Sequence, residues 1–445
     1  MKRVLMVIFL TWLGNIVAIG QSWQSNTEYD YSTKPDSTRN QALIHTVSNG
    51  VRYFNTDDMI RIDIDDENNV TVEQTFGSYT YRNEVSEISF KKASKYNVSP
   101  SKHFQLENDV VNRYLNEVQY DGFEGSVITE YAVESGYRMD WPREFLLTTL
   151  PANISSDQVL YYKIWKCWED ELLFDGKGCL SYIEFVLNHL QPGNAYVYEL
   201  REQDSGPFVI DTLQLDGRLR MISSDIGFNI RDLGGWTTRD GKIIKYGKIY
   251  RGSRFNRGIT NKDLSLINNQ LGIDVEIDLR SIEELHLDDE DPSNDLNYSL
   301  FGDTISYNHY PMPLHDYVYE DDVYVRVFRT VLTSIRQGRN VYIHCAGGAD
   351  RTGTIVLMLE ALLGLSDSDM AKDFEITSFA PLYFDNNNLR LCNRCSKTFD
   401  YFSGKTGCKG SSNEVTEQYM LSLGVTSEQI NEFRDLMLAS PFLCK

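Results

Sequence analysis

Residues 341–353 read Val341-Tyr342-Ile343-His344-Cys345-Ala346-Gly347-Gly348-Ala349-Asp350-Arg351-Thr352-Gly353. Val341 to Ile343 is a short apolar run that ends at His344, and Thr354 to Leu363 is apolar on nearly every face. The first pattern predicts a strand and the second a buried helix, with a tight curl between them. A curl at a helix N-terminus turns successive backbone N–H groups inward and makes an anion nest. Gly347 and Gly348 permit the dihedrals it needs. Arg351 is placed to fork two oxygens of a phosphate. The same field favours a thiolate at Cys345, because helix N-termini and nearby cations pull a thiol pKa from about 8.5 into roughly the 3.5–7.5 range. The expected chemistry is attack of Cys345 on phosphorus, then hydrolysis of the phosphocysteine by water. The amides of Ala346, Gly347, Gly348 and Ala349, together with Thr352 and Arg351, would bind the phosphoryl group. No metal or other cofactor is required.

The segment HCAGGADRTG resembles the phosphate loop of the bacterial protein-tyrosine-phosphatase family written HCxxGxDRTG, whose members are similar to tyrosine and lipid phosphatases. A rhodanese-like sulfur carrier, the nearest other use of such a cysteine, leaves Asp350-Arg351-Thr352-Gly353 unexplained. Three further stretches carry the resemblance: Asn229-Ile230-Arg231-Asp232-Leu233-Gly234-Gly235-Trp236 with Gly247 to Gly252, then Asp278-Leu279-Arg280 with Glu283 or Glu284, and the closing residues 413–438. Together they span about 225–440. The resemblance implies a C-terminal α/β phosphatase domain and a phosphoric monoester as substrate. It also implies Asp350 as a proton donor to the leaving oxygen. Asp316, after Tyr310-Pro311-Met312-Pro313-Leu314-His315, is the other candidate acid, on an expected mobile loop. His344 is expected to orient the loop, and Asp278 and Arg280 to pair with each other.

One departure bears on substrate. The family usually places a lysine where this chain has Ala349. That lysine would help to bind a second phosphate, so phosphotyrosine is the expected substrate and an inositol phosphate or phosphoinositide the alternative. A binding module without turnover is the rival from another class. Residues 231–257 hold eight basic residues (Arg231, Arg239, Lys242, Lys245, Lys248, Arg251, Arg254, Arg257) and two acids (Asp232, Asp240), a net charge of +6 in a chain of −21. This stretch is expected to steer an anionic substrate. Arg231 and Asp232 either line the pocket as substrate-binding residues or pair internally.

The chain has 445 residues, enough for about two to four domains. Its 41% hydrophobic and 12% aromatic content excludes a disordered chain. A charge of −21 argues against nucleic acid as a partner. Lys2-Arg3, the apolar run Val4–Leu13 and Ala18-Ile19-Gly20 read as a cleaved export signal over 1–20, rather than a membrane anchor, since Gly14-Asn15 interrupts a short run. No later stretch is apolar enough to span a membrane, and the protein is expected to be periplasmic or secreted. Seven cysteines in an exported chain suggest up to three disulfides beside the free Cys345. Cys167 with Cys179 is one possible pair. Cys392, Cys395, Cys408 and Cys444 favour disulfides over a zinc site.

Residues 21–40 read as a polar linker within a first unit, 21–125, that is β-rich. Asp65-Asp66-Glu67-Asn68-Asn69 lacks the spacing of a calcium loop and reads as a hairpin turn. Residues 126–218 are expected to form a fibronectin- or immunoglobulin-like sandwich. The reason is a Pro192-Gly193 turn that leads into alternating Tyr196 and Tyr198. Phe145-Leu146-Leu147 and Val159-Leu160-Tyr161-Tyr162 would be strands there. From 219 to 445 strand and helix patterns alternate, as in an α/β sheet. Ser411 with Glu414, and Thr426 with Gln429, have capping-box spacing for two closing helices.

Overall fold

The computed structural model describes residues 41–439, with breaks at 47–49, 56–58, 65–68, 75–76, 82–84, 92–101, 136–153, 156, 168–170, 204–205, 208, 225, 256–258, 286–298, 314–318 and 381–388. The leader 1–20, the linker 21–40, Phe145-Leu146-Leu147, Arg257, Asp316 and Cys444 lie outside the described residues.

Six short strands open the chain: β1 (Gln41–Thr46), β2 (Gly50–Asn55), β3 (Met59–Ile64), β4 (Val70–Gln74), β5 (Gly77–Tyr81) and β6 (Val85–Lys91). They form two antiparallel three-stranded sheets, in the orders β2-β1-β6 and β3-β4-β5. Ile64 pairs with Val70; the acidic run at 65–68 lies outside the described residues.

A five-stranded sheet runs β7-β11-β10-β8-β9, from β7 (His103–Gln105), β8 (Leu160–Lys166), β9 (Glu171–Gly178), β10 (Ala195–Arg201) and β11 (Val209–Asp216). The second sheet that a sandwich needs is not found in this unit among the described residues. Among the described residues a helix, not a second sheet, closes the core. Ile183, Val186 and Leu187 of α3 (Leu180–Asn188) pack on Leu160, Tyr162, Ile164, Tyr196 and Leu213. The local signal did produce its hydrogen bond, since the Tyr196 hydroxyl donates to the Gln191 carbonyl at 2.8 Å, over the Pro192-Gly193 turn. Such a corner reports one turn and one strand; it does not report what covers the sheet.

The six-stranded sheet positions the site. Its order is β12-β13-β15-β18-β16-β17, built from β12 (Met221–Ile222), β13 (Ile230–Asp232), β15 (Ile249–Ser253), β16 (Ile273–Asp278), β17 (Ser306–His309) and β18 (Asn340–Cys345). β15, β18, β16 and β17 are mutually parallel, with β18 between β15 and β16. Strands β14 (Ile243–Ile244) and β19 (Leu438–Ala439) make a separate ribbon. The expected strand–loop–helix is present: α7 (Asp350–Leu363) follows β18 and is buried from Thr352 to Leu363. Helix α6 (Asp321–Arg336) and the closing helices α10 (Ser412–Ser422) and α11 (Ser427–Met437) pack around α7, and both predicted capping boxes form. Between them lie α8 (Asp367–Ile376) and α9 (Asn393–Thr406), and the short helices α4 (Asn261–Ser265) and α5 (Ile282–Leu285) precede α6 in the chain.

A division at 125/126 does not match the packing. Helices α1 (Asp109–Glu117) and α2 (Ile128–Ser135), with the connection between them, contribute Val111, Tyr114, Leu115, Val118, Phe123, Ile128 and Ala132 to the same core as α7. Phe123 stacks on Phe399 of α9, and the Tyr114 and Tyr120 hydroxyls donate to Glu375 at 2.6 and 2.5 Å. The disulfides expected from the cysteine count are not formed among the described residues. Cys167, Cys179, Cys345, Cys392, Cys395 and Cys408 are all free thiols. Burial pushes the Cys392 thiol up to about 12 and the Cys167 thiol up to about 11, which keeps both protonated and unreactive. No described helix is long and apolar enough to cross a membrane.

Candidate active site

β18 delivers His344 and Cys345 to the C-terminal edge of the parallel strands, where open α/β sheets bind ligands. The chain then curls through Ala346–Ala349 into α7, which begins at Asp350. Each carbonyl of the curl is held from outside. The Arg254 N–H donates to Ala346 O at 3.2 Å, and Gly353 N–H donates to Ala349 O at 2.7 Å. Asn229 Nδ2 donates to Gly348 O at 3.0 Å and to Gly347 O at 3.3 Å. Arg251 Nη2 donates to Gly348 O at 2.6 Å. In a trans peptide the next N–H lies opposite the carbonyl. The N–H groups of Gly347, Gly348, Ala349 and Asp350 therefore face the inside of the curl, toward the side where an anion would sit. This is a nest whose walls are fixed before any ligand arrives.

Gly348 is demanded by the same packing. Its φ is +67°, and a Cβ there would lie 2.3 Å from the backbone carbon and oxygen of Gly252 in β15. Asn229 also has a positive φ, 57°, a conformation that asparagine tolerates better than most residues. Its amide is aimed at the loop by Arg231, whose Nη1 donates to Asn229 Oδ1 at 2.6 Å. Arg231 and Arg251 share one carboxylate, Asp373 of α8, at 3.0 and 2.8 Å. All three are fully buried, and the two guanidiniums hold the Asp373 carboxyl below its usual range against the opposing effect of burial. The strand β15, the helix α8 and the loop are thus tied through one charge cluster.

Arg351 is clamped on its outer side. Glu284 of the short helix α5 (Ile282–Leu285) takes two of its N–H groups, Nη2 to Oε1 at 2.6 Å and Nη1 to Oε2. Burial works against the charge on Arg351, but Glu284 and Cys345 raise its pKa further than burial lowers it. His344 sits between Glu276, 2.9 Å from Nε2, and the Cys345 carbonyl, 3.3 Å from Nδ1. Asp278 and Arg280 pair at 2.6 Å, and Tyr307 donates to the same Asp278 oxygen at 2.8 Å.

Asp350, the first residue of α7, is one-third exposed and accepts from two guanidiniums, Arg390 at 2.6 Å and Arg394 at 3.4 Å. Nothing is described at Asp316. Several expected ligand contacts are placed elsewhere. Arg231 and Asp232 are fully enclosed. Asp232 accepts from the N–H groups of Gly234 and Gly247, at 2.9 and 2.7 Å, and pairs with Arg220 at 3.4 Å. Internal pairing, not pocket lining, is therefore what these two residues do. Thr352 is sealed in the core as well, at 0% exposure. The loop residues Ala346 and Gly347 are half-buried, while Gly348 and Ala349 are buried.

Much of the basic stretch is spent on contacts within the fold. Arg231 and Arg251 serve Asp373. Arg239 pairs with Asp367 at 2.9 Å and Lys242 with Asp240 at 3.1 Å. Lys245 donates to the Leu436 carbonyl at 2.9 Å, at the end of α11. Asn229, Arg251, Asp373, Arg390 and Arg394 were not singled out as site residues from sequence. Asp373 stands between Lys372 and the Phe374-Glu375 pair, and nothing in that run set it apart from the other two charges. Nothing marked Arg390 and Arg394, which lie some forty residues from the loop.

A cysteine six residues before a clamped arginine, in a strand–loop–helix nest, defines the cysteine-dependent phosphatase class. Residues 222–439 match the Tyrosine phosphatase family, a family of phosphoric monoester hydrolases. None of the curated proteins matches the chain. Among solved structures, the chain is similar to the core catalytic domain of the PP-IP phosphatase SIW14 from S. cerevisiae. There the identity is 18%, covering 36% of this chain and 88% of that one, with a TM-score of 0.24. It is also similar to TpbA of P. aeruginosa, at 12% identity, 41% and 91% coverage, and a TM-score of 0.25. PTPMT1 in complex with PI(5)P matches at 9% identity, 40% and 92% coverage, and a TM-score of 0.24.

Proposed function

We propose that the protein hydrolyses phosphate monoesters, phosphotyrosyl esters among them, through a phosphocysteine intermediate. The outward fixing of every carbonyl from Ala346 to Ala349 carries this reading, because it commits the loop amides to an anion. The phosphoryl oxygens would take those amides and the inner edge of Arg351. The Cys345 sulfur then forms a bond to phosphorus as the ester oxygen leaves, and that oxygen takes a proton from Asp350. Water next attacks the phosphocysteine, gives its proton back to Asp350, and releases inorganic phosphate and the free thiolate. Preorganised donors around the transferring group supply the main stabilisation.

The test is phosphate release from an aryl phosphate and from phosphotyrosyl peptides. Wild type should turn over, and Cys345→Ser should fall by about 10³-fold or more while still binding the substrate. Binding with no turnover by wild type would instead establish a phospho-ligand-binding module. Export belongs to the same reading, supported by the charged start and apolar run of residues 1–20. The mature protein should begin at Gln21 when its N-terminus is sequenced.

A further inference from the structure

We propose that Arg390 and Arg394 are positioning residues for the proton transfers of Asp350: Arg390 anchors Oδ2, and Oδ1, beneath the looser Arg394, is the oxygen that carries the proton. This rests on the reading of Asp350 as the acid of a cysteine-dependent phosphatase.

Two unequal bonds meet on one carboxyl group. Arg390 Nη2 donates to Asp350 Oδ2 at 2.6 Å, and Arg394 Nη1 donates to Asp350 Oδ1 at 3.4 Å. The first of these is a rigid anchor. The Arg390 side chain is 7% exposed, and its backbone is locked to Ser378, whose Oγ takes the Arg390 N–H at 2.7 Å and donates to the Arg390 carbonyl at 3.0 Å. Ser378 follows Thr377, whose Oγ1 accepts from Asn229 Nδ2 at 3.4 Å, and the same amide holds the Gly348 carbonyl. The anchor is therefore tied to the phosphate loop that Asp350 adjoins. Arg394 is the second residue of α9, and its side chain is 27% exposed. A cation in the first turn of a helix meets the positive end of the macrodipole. The helix gives no reason for an arginine there, and Asp350 does.

The inequality assigns the proton. A neutral carboxyl group has one O–H oxygen and one carbonyl oxygen, and the carbonyl oxygen still accepts hydrogen bonds. The short bond at Oδ2 persists in both protonation states, while the long one at Oδ1 yields to a proton. As Cys345 Sγ bonds to phosphorus, the bond from phosphorus to the ester oxygen breaks and that oxygen takes the Oδ1 proton. Asp350 is left ionised, with Arg394 over Oδ1. Water then attacks the phosphocysteine, its proton goes to Oδ1, the P–S bond breaks, and inorganic phosphate leaves. The carboxyl group keeps one orientation through both halves because Oδ2 stays on Arg390.

The experiment uses the full chain and two esters: phenyl phosphate, whose leaving oxygen needs a proton, and 2,4-dinitrophenyl phosphate, whose leaving oxygen does not. The readout is the ratio of their kcat/KM values, which reports the first half of the reaction. General acid catalysis contributes about 10²–10⁴-fold, so Asp350→Asn should shift the ratio against phenyl phosphate by about 10²-fold or more. Arg394→Ala should shift it the same way by about threefold and Arg390→Gln by about tenfold, with part restored in Arg390→Lys. Arg390 is engaged elsewhere as well, so Arg394→Ala, at a partly exposed position, is the deciding variant. Combined with Asp350→Asn, neither arginine variant should move the ratio further, because both act through that carboxyl group. If Arg394→Ala lowers both esters in step, or shifts the ratio equally with and without the Asp350 carboxyl, the proposal is overturned and Asp350 remains the acid. A ratio unmoved by Asp350→Asn overturns the proposal together with the acid assignment, while loss of turnover in Cys345→Ser would still uphold the nucleophile. Wild type that hydrolyses neither ester overturns the proposal and the phosphatase reading alike.

Discussion

Arg351 makes the site's dependence on single residues measurable. Its guanidinium must present an inner edge to phosphate, and Glu284 fixes the outer edge through two charge-assisted hydrogen bonds. The backbone carbonyls of Leu279 and Met312 add weaker restraints at 3.4 and 3.3 Å. Glu284→Gln keeps the size but removes the charge and one acceptor, so the arginine loses its fixed pose. Since hydrogen bonds between charged groups contribute about 1.5–3 kcal/mol, kcat/KM should drop by roughly 10- to 100-fold. The substitution lies outside the nucleophilic loop, so the protein should remain folded. A variant that melts with wild type and turns over at the wild-type rate would show that the clamp is dispensable. The Asn229–Arg231–Asp373 relay acts differently. It holds the loop carbonyls and never faces the ligand, so its failure would be felt as a misshapen nest.

At the scale of elements, what could be read from sequence was what depends on neighbours in the chain. The strand at 340–345, the buried helix after it and both capping boxes are local patterns, and each forms. The pairing of Asp278 with Arg280, two residues apart, is local as well. What failed depended on partners distant in sequence. Nothing in residues 231–257 says that Asp373 will neutralise two of its arginines, or that a helix terminus will take Lys245. The tyrosine corner at Tyr196 was seen, yet the helix that covers its sheet was not anticipated. That helix, α3, is followed at its C-terminal cap by His189, whose ring is fixed as the neutral tautomer. Nδ1 donates to the Phe185 carbonyl at 2.7 Å, while Nε2 accepts the Ser223 N–H at 2.9 Å. Burial lowers its pKa to about 3. An unfolded histidine binds a proton below about 6.5, so the unfolded state gains protons that the folded state refuses. Stability from this site is fully present above about pH 6.5 and is lost as pH falls toward 3, with a limiting slope of about 1.4 kcal/mol per pH unit. His189→Gln should be less stable at pH 7.5 by about 1–3 kcal/mol and should show a flatter fall between pH 6.5 and 4. Urea unfolding at a series of pH values checks this; parallel curves for the two proteins would refute it.

Across the whole molecule, the catalytic half does not stop where its family match begins. Seven residues of 109–135 are buried in the core that contains α7. Lys372, on α8, donates from Nζ to the Leu115 carbonyl at 3.1 Å. Glu107 accepts the Leu219 N–H at 2.6 Å, and α3 sends Phe185 into a cluster with Ile222, Ile230 and Tyr250 beside β15. A large apolar side chain contributes about 1.5–3 kcal/mol when buried. Removing residues 109–135 alone would then forfeit something on the order of 10 kcal/mol, as much as the whole stability of an ordinary domain. A chain starting at 219 should therefore be recovered insoluble, or should melt far below the full-length protein. A chain starting at 102 keeps β7, both helices and the α3 sheet, and should retain the melting temperature of the catalytic core and its Cys345-dependent turnover. Soluble yield, thermal melting and phosphate release on the two truncated proteins separate these expectations. If the 219 start melts within a few degrees of the full chain, the preceding hundred residues are an attachment and not a structural part of the phosphatase.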